Sequence, residues 1–97
     1  MTFRVKSGNE NLQNAMRKIG YNPIDMTDRG EMNCVRSLMG GDYPRFHVYS
    51  KEEGNEIVIN LHLDQKKPSY SGTHAHAGDY DSETVRDEAV RIKSALK

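Results

Sequence analysis

The segment from Glu56 to Asp64 constrains the fold of this chain more than any other. Ile57, Ile59, Leu61 and Leu63 alternate with Val58, Asn60, His62 and Asp64. Side chains of an extended strand point to opposite faces in turn, so this segment presents one continuous apolar face and one that carries a histidine and a carboxylate. Arg45-Phe46-His47-Val48-Tyr49 repeats the alternation upstream, and Lys51 to Asn55 reads as the loop that joins the two into a hairpin. If Phe46 and Val48 share the core face, His47 and Tyr49 lie on the opposite face beside Asn60 and His62. A slip of one residue would send His47 to the core side instead.

The rest of the chain supplies layers to cover that sheet. Phe3 and Val5 alternate with polar neighbours between Thr2 and Lys6, which predicts a first strand. Ser7-Gly8-Asn9-Glu10 has the spacing of a capping box and predicts a helix that carries Leu12, Ala15, Met16 and Ile19 on one side and stops at Gly20. Asn22 to Gly30 reads as an irregular connection pinned to the core by Ile24 and Met26, and Glu31 to Leu38 as a strand. The polar stretch from Lys66 to Asp79 reads as a long loop. Asp81-Ser82-Glu83 caps a last helix striped with Val85, Ala89, Ile92 and Leu96, with Tyr80 placed to staple onto Val85. The expectation is a single α+β domain over residues 1–97, two-layered, in the order β-α-β-β-β-α, with a mainly antiparallel sheet and two helices on one face.

Composition narrows the function classes. Fourteen basic and fourteen acidic side chains cancel, so no bulk field draws the chain to nucleic acid or to an anionic membrane. With 97 residues and 35% apolar content the core is thin, and a homodimer or a bound ligand would add to its stability. Cys34 is the single cysteine, which excludes an internal disulfide and any multi-cysteine zinc knuckle. The first residues lack the apolar run of a secretory signal and no stretch has the length of a membrane span, so the expected location is cytoplasmic.

Chemistry concentrates in the histidines. His47 and His62 fall on adjacent strands, and His74-Ala75-His76 follows in the loop. Neutral imidazoles with the Asp64 carboxylate suit zinc or another transition metal, which makes His47, His62, Asp64, His74 and His76 the candidate ligands. The same face also reads as a pocket for a small polar or anionic ligand, lined by Arg45, His47, Tyr49, Asn60 and His62 with Lys66 and Lys67 at its rim. No nucleophile has an interpretable spacing to a histidine, so the chain reads as a binding or regulatory module rather than an enzyme. The alternative use of the open face is self-association or protein interaction, burying Tyr43, Tyr49 and Val58.

Two resemblances bear on these readings. The helix, three strands, helix order from Asn9 to Leu96 resembles that of double-stranded-RNA-binding domains, which implies a nucleic-acid-binding alternative. In that family lysines at the start of the last helix bridge phosphates, whereas here the matching tract is Asp79-Tyr80-Asp81-Ser82-Glu83-Thr84, with acid where base is needed. The stretch His62-Leu63-Asp64-Gln65-Lys66-Lys67-Pro68-Ser69-Tyr70, followed by Thr73-His74-Ala75-His76, is similar to a tract in short uncharacterised bacterial α+β proteins. That likeness implies a small free-standing intracellular domain and brings no activity or site residues with it.

Overall fold

The alternation of Glu56 to Asp64 is realised as a strand with neighbours on both sides. The computed structural model describes residues 1–66, 78–79 and 82–96. In chain order these form β1 (Thr2–Lys6), α1 (Leu12–Lys18), β2 (Asn22–Met26), β3 (Met32–Ser37), β4 (Arg45–Glu53), β5 (Glu56–Asp64), β6 (Gly78–Asp79) and α2 (Glu83–Ala95). Among the described residues all pairings are antiparallel, in the order β1-β5-β4-β3-β2, with β6 also on β5. The expected α+β class is what the chain adopts.

Register follows from the apolar faces. Val48 stands opposite Leu61 and Phe46 opposite Leu63, while Val5 of β1 meets Ile57 and Cys34 of β3 meets Val48. These residues form one buried cluster with Leu12, Ala15, Met16 and Ile19 of the α1 segment and Val85, Ala89, Ile92 and Leu96 of the α2 segment. Each fully buried Leu, Ile or Val contributes about 1.5–3 kcal/mol through removal from water, so any slip that turned β5 over would forfeit several such terms at once. Both helices therefore pack on one face, and His47, Tyr49, His62 and Asp64 go to the other.

A polar tie fixes the helices to each other. Glu88, buried on α2, accepts from the Tyr21 hydroxyl at 2.6 Å and from Arg91 Nε at 2.7 Å, and Arg91 Nη2 also donates to the Ile19 carbonyl at 2.7 Å. Burial, with the hydrogen bond to Glu88 second, pushes the Tyr21 hydroxyl far up, so the phenol keeps its proton and donates it.

Three local expectations are corrected. Helix α1 is capped by Asn11, whose side chain accepts from the Asn14 amide at 2.8 Å, not by Ser7. Ser7 is instead held against the β4–β5 turn, its amide and hydroxyl both donating to the Asn55 carbonyl at 2.9 and 3.0 Å. The Asn22–Gly30 connection contains β2, an edge strand with a register shift between Pro23 and Asp25, and Ile24 and Met26 are exposed rather than pinned to the core. An edge strand tolerates Pro23 because it needs partners on one side only. The expected loop of Lys51 to Asn55 shrinks to two residues, because pairing of β4 with β5 continues to Glu53 opposite Glu56. Gly54 sits at φ +63° and Asn55 is not left-handed, the pattern of a type II′ turn that matches the strand twist. The last helix is capped by Ser82, whose hydroxyl accepts from the Val85 amide at 3.3 Å, as its sequence predicts. Tyr80 and its staple lie outside the described residues.

Candidate metal centre

Cross-strand pairing assembles the polar face in rows. Arg45 stands opposite Asp64, His47 opposite His62, and Tyr49 opposite Asn60. On the next strand Val35 lies opposite His47 and Asn33 opposite Tyr49. The expected neighbour relation of the two imidazoles is thus a direct cross-strand pair, with ring centroids 4.7 Å apart. Tyr49 stacks on His47 at 4.6 Å and on His62 at 5.7 Å.

Although among the described residues no helix packs on this face, its polar centre is buried. His47, His62 and Asp64 are 9%, 6% and 8% exposed, whereas Asn60 is exposed and stands one row away. Asp64 is the hub. Its Oδ2 accepts from His47 Nδ1 at 3.0 Å and from Arg45 Nε at 3.2 Å, and its Oδ1 faces His62 Nε2 at 3.0 Å. One nitrogen from each ring and a carboxylate oxygen lie within 4.8 Å of one another. Among the described residues no buried side-chain nitrogen or oxygen lacks a partner.

Burial lowers the pKa of both imidazoles from the ordinary 6.5, opposed by the attraction of Asp64. Both rings are therefore neutral at neutral pH, each with one protonated and one unprotonated nitrogen. A carboxylate only accepts, so in the metal-free state His47 carries its proton on Nδ1 and His62 on Nε2. His47 Nε2 also lies 2.9 Å from Asn33 Oδ1. With the ring neutral and Nδ1 protonated, two acceptors would then face each other, and the Asn33 amide must turn over to offer its NH2. If instead a cation takes Nδ1, the proton moves to Nε2 and the Asn33 carbonyl is the acceptor it requires. This is the usual arrangement of a metal-bound histidine, whose second nitrogen donates to a fixed oxygen.

Sequence reasoning missed Asn33. In the structure Met32 and Cys34 point inward and Asn33 falls on the polar face, where the β3–β4 register brings it to His47. Of the remaining expected site residues, His74 and His76 lie outside the described residues, as does Lys67, and Lys66 is exposed at the end of β5. Cys34 faces the core, where burial pushes its thiol up to about 11 and keeps it protonated. Among the described residues no helix is long and apolar enough to cross a membrane.

Comparison with protein-family models, with curated proteins and with solved structures gives no match to this chain. The fold and the site define it as a small α+β domain with a buried His-His-Asp group, and the functional reading rests on that geometry.

Proposed function

We propose that this chain is a metal-binding module that takes a divalent transition metal of the zinc class at His47, His62 and Asp64. The observation that carries the reading is that one ring nitrogen each of His47 and His62 and an Asp64 carboxylate oxygen lie within 4.8 Å of one another, with His47 Nδ1 and His62 Nε2 each 3.0 Å from that carboxylate and Asn33 Oδ1 behind His47. Zinc binds imidazole nitrogen and carboxylate oxygen at about 2.0–2.2 Å, which puts neighbouring donors of a tetrahedral site about 3.3 Å apart. The N···O separations of 3.0 Å, one to Oδ2 and one to Oδ1, are within a few tenths of an ångström of that spacing, and the donor set as a whole lies within 4.8 Å. A mixed nitrogen and oxygen set without thiolate suits zinc, and the stacked Tyr49 ring limits how far the imidazoles can swing.

A second reading draws on Arg45. Its Nε on Asp64 already neutralises the carboxylate, so the same residues form a charge-balanced network that ties β4 to β5 without any ion. Titration of chelator-treated protein with zinc decides between them. The metal reading requires one equivalent bound per chain and a thermal transition raised by zinc, both lost in H62Q and D64N. Zinc that binds no better to the wild type than to H47Q/H62Q, with no change in melting, leaves the structural network. The sequence-expected donors His74 and His76 enter the same assay as H74Q/H76Q, where tenfold weaker binding assigns them to the metal as well.

A further inference from the structure

We infer that Arg45 makes this centre a site for an oxoanion, which takes a coordination position left open by His47, His62 and Asp64 and rests a second oxygen on the guanidinium. The inference builds on the metal reading and names what the bound metal would hold.

The first ground is charge. With a divalent ion in place, the neutral imidazoles contribute nothing, Asp64 contributes one negative charge and Arg45 one positive charge, so the centre carries an excess of two positive charges. In a buried setting that excess favours an anionic over a neutral ligand. Without metal Arg45 is the counterion of Asp64; with metal its charge is surplus and turns to the ligand.

The second ground is the way Arg45 is held. Nε donates to Asp64 Oδ2 at 3.2 Å, and the guanidinium lies over the Tyr43 ring at 4.7 Å from its centroid. Two contacts thus fix the plane of the group, while Nη1 and Nη2 make no hydrogen bond among the described residues. The Arg45 side chain is 23% exposed against 11% for Asp64, so the arginine is the more open of the two. A planar pair of N–H donors held beside a metal-binding carboxylate matches the edge of a phosphate or carboxylate, which places one oxygen on the metal and the next on arginine.

Phosphate and carboxylate share this chemistry, and the test separates them. The full-length chain is loaded with one equivalent of cobalt(II) in a non-coordinating buffer, and its visible spectrum is followed during titration with inorganic phosphate and, separately, acetate. The expected result is a saturable change in the cobalt bands with at least one of these anions. R45Q should keep cobalt, bound as tightly as in the wild type or more so because a competing cation is gone, and should weaken the anion by about tenfold or more. R45K keeps the charge without the fork and should fall between; it carries the test if circular dichroism shows R45Q unfolded. A cobalt-loaded protein whose bands ignore both anions, or respond equally in wild type, R45Q and R45K, overturns the inference and leaves the metal site standing. Failure of cobalt to bind the wild type removes the metal reading, and this inference with it.

Discussion

Asp64→Asn isolates the charge at the hub without changing its shape. In the native cluster the carboxylate receives hydrogen bonds from His47 Nδ1 at 3.0 Å, Arg45 Nε at 3.2 Å and His62 at 3.0 Å. An amide keeps one accepting oxygen and turns an NH2 toward whatever faced the other, so at least one charge-assisted hydrogen bond is lost, worth about 1.5–3 kcal/mol. Arg45 is left without its counterion, but its side chain is 23% exposed and water takes up part of that cost. The sum is a destabilisation of about 2–3 kcal/mol, below the roughly 3–5 kcal/mol typical of breaking a fully buried pair. For a domain of this size that lowers the melting temperature by roughly 10–20 °C. Urea unfolding of metal-free protein at pH 7.5, followed by circular dichroism, measures it. A loss below about 0.5 kcal/mol would refute the placement of Asp64 as the hub, since surface carboxylates give values of that size.

Other expectations follow from the same contacts. Because burial lowers the pKa of His47 and His62 below 6.5, the unfolded chain binds more protons than the folded one just under that pH; stability should fall as the pH drops from about 6.5 toward the lowered folded values. Urea midpoints at pH 7.5 and 5.5 should therefore drop more for the wild type than for H47Q/H62Q, and equal drops would contradict the neutral-imidazole assignment. Tyr21→Phe removes the hydroxyl that donates to buried Glu88 at 2.6 Å and should cost about 1–3 kcal/mol in the same assay, whereas a neutral result would mean the helix tie is dispensable. Ser82→Ala deletes the cap of α2 and should cost about 1 kcal/mol, with Ser82→Gly costing less.

Much of the fold was legible because the strongest sequence signals are also the most heavily buried positions. The alternation of β5 and the stripe of α2 each match a face of the core, and together they set the sheet against its helices. Weaker signals were decided by tertiary partners. Ser7 has the residue type and spacing of a cap, yet the nearby β4–β5 turn offers the Asn55 carbonyl and draws it away. Ile24 and Met26 look like core residues by hydropathy, but edge pairing to β3 leaves them exposed. At the site, period-two alternation put His62 and Asp64 on one face, whereas the face of His47 hung on the hairpin register that sets it opposite His62. Arg45 and Asn33 acquire their roles from cross-strand register, a property of paired strands that no single segment encodes.

Which nitrogens would face a bound ion is read directly by long-range proton–nitrogen-15 correlation spectra of the histidine rings. On addition of one equivalent of zinc, His47 should pass from an Nδ1-protonated to an Nε2-protonated ring with Nδ1 metal-bound, while His62 becomes metal-bound at Nε2. Rings that keep their metal-free protonation pattern in the presence of zinc would contradict the account and leave His47, His62 and Asp64 as an internal hydrogen-bonded tie.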